Sequence, residues 1–216
     1  MLVLHAWWGL NDFIKEFCER LAREGFVALA PDLYRGNVAT TIAKAKYLRG
    51  KTKRAQVGAD ILSAVEQLRG LPTVTGDTLG VVGFSWGANW AFWLSVGKPA
   101  LIGAVTVFYG TKTADYSRTK AAYLGHFAKT DPFVSTSSVR KLEQRLRADA
   151  RPAIFHTYEG TGHWFFETDR HDAYDAKAAQ LAWNRTVEFL LVQLADSSRK
   201  RVDGLDIPSK STPKKT

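Results

Sequence analysis

Short, nearly continuous apolar runs alternate with longer amphipathic stretches through residues 1–194 of this 216-residue chain, and that alternation leaves few folds open. A run that is apolar at almost every position has to be buried on both faces, which is the condition of a strand inside a parallel sheet. Parallel neighbours need long crossovers, and the amphipathic stretches are long enough to supply them as helices. The pattern predicts strands over Leu2–Ala6, Phe26–Ala30, Thr78–Phe84, Gly103–Tyr109, Ala121–Ala128 and Ala153–Tyr158. Helices are expected over 11–24, 54–69, 87–96, 136–148 and 174–194. In the first of these, Phe13, Ile14, Phe17, Cys18 and Leu21 form one apolar stripe and Gly25 supplies the stop. The expected fold class is α/β, a mostly parallel sheet of about six strands flanked by helices. No internal repeat is visible, and the length suits one domain.

Composition narrows the function. No stretch approaches the roughly 18 apolar residues of a membrane span, and the apolar start lacks the pattern of a cleaved leader, so a soluble protein without a targeting segment is expected. The single cysteine, Cys18, can form neither an internal disulfide nor a thiolate zinc site, which fits a reducing, cytoplasmic setting. Its place on the apolar stripe reads as a small core hydrophobe rather than a nucleophile.

The 30 Lys and Arg against 21 Asp and Glu give a net charge of +9, but its distribution matters more than its sum. Residues 197–216 hold Arg199, Lys200, Arg201, Lys210, Lys214 and Lys215 against Asp203 and Asp206, with no aromatic side chain. The expected division is a folded domain over 1–195 and a basic, disordered tail over 196–216. Without aromatics or a nucleic-acid motif, that tail is weak ground for a nucleic-acid partner. A second basic cluster, Lys44, Lys46, Arg49, Lys51, Lys53 and Arg54, reads either as a solvated face or as a cationic lip that attracts anionic esters.

Chemistry enters at Gly83-Phe84-Ser85-Trp86-Gly87, a G-x-S-x-G pattern with a strand before it and a helix after it. Such a turn lifts a serine hydroxyl above the carboxyl end of the sheet, and the flanking glycines let strand and helix approach closely. Of five histidines, His126 and His156 fall inside expected strands, His5 at a strand end and His171 in a charged loop. His163 sits in Glu159-Gly160-Thr161-Gly162-His163-Trp164, after the last strand and at the same sheet end as Ser85. Asp131 follows the strand before it, with Asp115 as the other candidate acid. The order Ser85, Asp131, His163 is the nucleophile, acid, base order of α/β-hydrolases. Oxyanion donors would be the backbone N–H groups of Trp86 and Trp7, and Trp7, Trp8, Trp86 and Trp164 suggest an aromatic wall around the site.

With those residues in view, the chain resembles the dienelactone hydrolase family over nearly all of residues 1–194. The resemblance rests on Leu4-His5-Ala6-Trp7-Trp8-Gly9-Leu10-Asn11, on Ala30-Pro31-Asp32-Leu33-Tyr34, on the serine turn, on Asp131-Pro132-Phe133-Val134 and on Gly162-His163-Trp164-Phe165-Phe166. It implies a small α/β-hydrolase without a lid that opens esters or lactones, with no metal or organic cofactor. The short segment 110–120 agrees, since a lid would need more chain there. Substrate contacts are expected from Trp8, Tyr34, Trp164 and Phe165.

The chain departs from the familiar members in three ways. Ser85 and Ala6 stand where those members have a cysteine nucleophile and the glutamate that restrains it. Glu167 stands where they place an arginine for a substrate carboxylate. The hairpin they carry before the first strand is missing, which makes Phe26–Ala30 an edge expected to be covered by another segment or by a second copy, as in a homodimer. The expected function is serine carboxylester hydrolysis. The competing expectation is a vestigial hydrolase fold that acts as a binding module through its basic tail.

Overall fold

The computed structural model describes the backbone of residues 1–202 and the side chains of residues 1–194. Five strands, β1 (Leu2–Leu4), β2 (Leu79–Phe84), β3 (Ile102–Phe108), β4 (Ala122–Thr130) and β5 (Ala153–Gly162), lie side by side in chain order. Every pairing is parallel. Six helices connect or follow them: α1 (Asp12–Arg23), α2 (Ile42–Lys51), α3 (Arg54–Gly70), α4 (Trp86–Gly97), α5 (Thr136–Ala148) and α6 (Ala176–Val202).

The sheet is narrower than the six apolar runs imply. Phe26–Ala30 contributes one isolated bridge, Leu29 to Leu2, instead of a sixth strand. Leu29 N–H donates to Met1 O and Leu29 O accepts from Val3 N–H, both at 2.9 Å. The ladder stops there because β1 is only three residues long and Pro31 has no N–H to donate. All five residues of the segment are half-buried, and Phe26 and Val27 share a hollow with Val74 and Leu191, so the chain itself shields part of this edge.

Two helices also depart from expectation. Helix α2 escapes a periodicity reading because it offers only Ala45 and Leu48 to the core. Its start does carry a local signal, Thr41, whose hydroxyl accepts from Lys44 N–H at 3.2 Å. Helix α6 runs past residue 194 to Val202, since no proline or glycine interrupts 176–202. Residues 196–202 of the expected tail therefore belong to this helix, and 203–216 lie outside the described residues.

Packing follows the stripe read from α1. Phe17 meets Phe84 of β2 at 5.1 Å, Phe166 at 5.8 Å and Trp183 of α6 at 5.4 Å between ring centroids. Arg20 adds its guanidinium over the Trp183 ring at 3.9 Å. Cys18 lies half-buried beside this stripe, and burial pushes its thiol up to about 11. A thiol in that state is the inert hydrophobe expected of it.

One carboxylate is buried in this core. Glu167 is 1% exposed. Its Oε1 accepts from the Tyr109 hydroxyl at 2.6 Å, and its Oε2 has no partner among the described residues. Burial pushes its pKa up to about 8, so the group is largely uncharged at neutral pH. An acid with a raised folded-state pKa stabilises the fold fully below its ordinary value near 4.5 and progressively less as pH climbs to about 8. Thermal unfolding between pH 5 and pH 9 should show Glu167→Gln gaining stability relative to wild type as pH rises; parallel curves would refute this. Phe17→Ala should cost about 3–5 kcal/mol in urea unfolding, because the cavity opens between α1, β2 and α6.

Candidate active site

β2 ends at Phe84 and α4 begins at Trp86, which leaves Ser85 alone to turn the chain. Its φ of 48° and ψ of −107° lie where L-residues are rare, at a cost of about 1–3 kcal/mol. The turn is possible because its neighbours lack side chains. A Cβ on Gly87 would collide with the carbonyl oxygens of Leu4 and His5, and one on Gly83 would stand 2.7 Å from Ala88 Cα. Ser85 N–H donates to Phe108 O at 2.9 Å and Ser85 O accepts from Ala88 N–H at 3.0 Å, so both backbone groups are tied down. The side chain takes no part in capping α4 and faces the opposite loop.

That loop presents His163. Ser85 Oγ lies 2.9 Å from His163 Nε2, and His163 Nδ1 lies 2.7 Å from Asp131 Oδ2. The other carboxylate oxygen of Asp131 accepts from Phe133 N–H at 2.8 Å and Val134 N–H at 2.9 Å. With the carboxylate as acceptor, Nδ1 carries the proton and Nε2 is left to accept from the serine hydroxyl. The imidazole and carboxylate side chains are 3% and 2% exposed, so little water competes for these bonds.

Sheet register brings acid and base together. The β4–β5 ladder ends on the pair Thr130 and Gly162, and the next residue along each parallel strand is Asp131 or His163. Asp115, the other candidate acid, lies exposed and pairs with Arg145 at 3.1 Å. His126 is fully buried and bonded to Tyr158 and Thr186, while His156 stacks on it. His171 is exposed.

Ser85 and His163 open onto a cavity of about 250 Å³ whose walls include Trp7, Trp86, Tyr109 and Phe133. Trp7 and Trp86, the expected oxyanion donors, thus share the cavity with Ser85. Trp86 is the first residue of α4, where backbone N–H groups have no partner inside the helix. The loop that carries Trp7 is pinned by His5, which is fully buried. His5 Nδ1–H donates to Ala6 O at 2.6 Å and Nε2 accepts from Leu33 N–H at 3.2 Å. Burial holds its pKa down at about 4, so the ring stays neutral and both bonds persist at neutral pH.

The four expected substrate contacts lie elsewhere: Trp8, Tyr34, Trp164 and Phe165 do not line this cavity. Trp8 and Trp164 pack against each other at 5.3 Å beneath the guanidinium of Arg170, and support Trp7 from behind. Phe165 is fully buried between Tyr109 and Tyr158. Tyr34 packs on His5 and Trp86 and lines a separate hollow. Adjacency in sequence to His163 or Trp7 does not turn a ring toward the cavity, because these residues lie in turns, where neighbouring side chains leave the backbone in unrelated directions.

Residues that sequence reasoning passed over take those places. Tyr109 packs its ring on His163 at 4.7 Å and anchors its hydroxyl on Glu167. Phe133 also packs on the imidazole, at 4.9 Å between ring centroids, and is half exposed. Arg49 and Asn89 complete the wall. Asn89 had a readable signal, since it lies four residues after Ser85 and so one helical turn along α4. Arg49 was visible only as one member of the basic cluster. Among the described residues no group of three or more His, Cys, Asp or Glu side chains is placed to hold a metal ion. No helix among them is long and apolar enough to cross a membrane.

The model of the dienelactone hydrolase family matches residues 1–193. Protein usf of Aquifex pyrophilus is 33% identical over 199 residues, which cover 88% of this chain and 86% of that one. An Aquifex aeolicus protein, assigned by name as a carboxymethylenebutenolidase, is 29% identical over 203 residues, covering 90% of this chain and 88% of its own. A solved structure from Klebsiella pneumoniae, assigned as a dienelactone hydrolase, superposes with a TM-score of 0.77 at 26% identity over 90% of this chain and 85% of that one. The parallel sheet, the serine turn and the match across residues 1–193 lead to one conclusion: the chain belongs to the dienelactone hydrolase family and is a carboxylic ester hydrolase with the α/β-hydrolase fold.

Proposed function

We propose that the protein hydrolyses small esters or lactones through a covalent acyl-enzyme formed on Ser85. The observation that carries this reading is the unbroken hydrogen-bonded line from Ser85 Oγ through His163 to Asp131, at 2.9 and 2.7 Å, at the wall of an open cavity. In the first step His163 Nε2 takes the serine proton while Oγ bonds to the substrate carbonyl carbon. The resulting oxyanion is stabilised by the N–H groups of Trp86 and Trp7, each such donor being worth about 3 kcal/mol in comparable sites. The C–O bond to the alcohol then breaks, and the imidazolium returns its proton to the departing oxygen. With a lactone, that alcohol stays attached to the acyl group.

A water molecule next gives a proton to His163 and attacks the acyl carbon; the bond from that carbon to Oγ then breaks as the imidazolium returns its proton to Oγ, which releases the acid and restores the serine. Asp131 keeps the ring in the Nδ1–H tautomer and stabilises the imidazolium, while Tyr109 and Phe133 both pack against it. A serine on this turn needs no restraining carboxylate, which accords with Ala6 on the first loop.

The test is hydrolysis of 4-nitrophenyl acetate. Ser85→Ala should lower kcat by roughly four to six orders of magnitude without altering the melting temperature. Equal turnover by wild type and Ser85→Ala would overturn the proposal in favour of a vestigial fold. Asp131→Asn should lower kcat by roughly 10⁴-fold with little change in KM, because the amide favours the wrong tautomer of His163.

A further inference from the structure

A second hollow, of about 270 Å³, adjoins the serine cavity and shares Arg49, Trp86 and Asn89 with it. Its remaining wall brings two more cations, Arg54 and Lys112, against the indoles of Trp90 and Trp93. The three cations reach it from three segments: the last turn of α2, the first residue of α3 and the loop after β3. Gly58 explains why Arg54 arrives there. It lies one turn further along the same face of α3 and lets that helix sit against Trp93, 3.3 Å from where a Cβ would stand.

No carboxylate lines either cavity, and none of the three cations has an ion-pair partner among the described residues. Other arginines of the chain do find one, Arg35 on Asp60 and Arg145 on Asp115 and Asp149. Partial burial, with the charge of Arg54 beside it, holds the Lys112 ammonium below the ordinary lysine range. Like charges gathered without a counter-charge are a cost that a bound anion would remove. Three of them around one hollow favour a doubly charged group over a singly charged one, and Trp86, Trp90 and Trp93 supply an apolar wall for the carbon skeleton that bears it. Trp90 stands edge-on to both neighbours, at 6.2 and 5.3 Å.

We infer that this hollow is a second substrate subsite, which holds a doubly negative oxyanion with the charge of a phosphate monoester on an ester whose carbonyl lies at Ser85. The inference rests on the esterase reading and sharpens it into a substrate class. It also divides the basic cluster of α2 and α3. Arg49 and Arg54 face the substrate, whereas Lys44 and Lys51 flank the Tyr47 ring in a separate hollow.

The experiment compares 4-nitrophenyl esters whose acyl chains, of graded length, end in methyl, carboxylate or phosphonate, at one ionic strength near 0.15 M and at pH 8. At the chain length that spans the two cavities, kcat/KM should rise from methyl to carboxylate to phosphonate, with at least about tenfold between the ends of that order. The double variant Arg54→Gln, Lys112→Gln should reduce that ratio to near one, with a melting temperature that certifies its fold. Calorimetry with inorganic phosphate on Ser85→Ala should show binding that the same two substitutions abolish. Ester turnover indifferent to the terminal charge, or a preference that survives both substitutions, would overturn the subsite and leave the esterase reading intact. Phosphate binding through Arg54 and Lys112 in a chain that turns over no ester would support the subsite and overturn the esterase reading.

Discussion

The close approach of α4 to the ends of β1 and β2 is the constraint on which the rest of the site depends. Gly87 lies against the carbonyls of Leu4 and His5, and Gly83 lies under Ala88, so the helix starts where a side chain would otherwise stand. Only with that contact made can one residue turn the chain, and Ser85 pays for it in a φ of 48°. The same contact brings the first free N–H of α4 beside the loop after β1. Strain at Ser85 and the nearness of the α4 N-terminus to the loop after β1 are two results of one packing decision.

Buried polar groups then fix what backbone packing leaves loose. His5, neutral and bonded at both nitrogens, ties the Ala6–Trp7 turn to Leu33. Glu167 anchors Tyr109, whose ring lies on His163. Asn11 caps α1 through Oδ1 and donates from Nδ2 to Asp169 at 2.6 Å, which latches the loop after β1 to the loop that follows His163. These groups sit behind the reacting atoms rather than among them, and each removes a freedom that the two loops would otherwise have. Glu167 also explains how the chain tolerates an acid at the position where familiar members carry arginine: burial keeps it largely uncharged, and it serves the wall instead of the substrate.

Much of this was legible along the chain. Apolar runs located β1 to β4 because a strand buried on both faces has few polar positions to confuse the reading, and β5, half-exposed at the sheet edge, still showed through its run Ala153–Tyr158. Phe26–Ala30 has the same composition but lacks a long partner and is followed by Pro31, which composition alone does not weigh. Helix α2 was missed for the opposite reason, since a helix that buries two side chains leaves no stripe. The meeting of Ser85, Asp131 and His163 could be read because each follows a strand directly, so chain position stands in for spatial position at the carboxyl end of a parallel sheet. Trp8, Trp164 and Phe165 fall outside the Ser85 cavity because neighbourhood in sequence says nothing about which way a ring turns, and Tyr34 lines a separate hollow.

By itself, the sequence determined the order of the five strands, the serine turn and the three side chains that follow strand ends, because all of these depend on local periodicity and on short-range sterics. Tertiary structure alone decided which residues form the walls. Arg49, Arg54 and Lys112 belong to different segments and become one cationic hollow only when α2, α3 and the loop after β3 are packed. Glu167 and His5 likewise acquire their neutral states from burial, a property of the surrounding volume that no stretch of neighbouring residues carries.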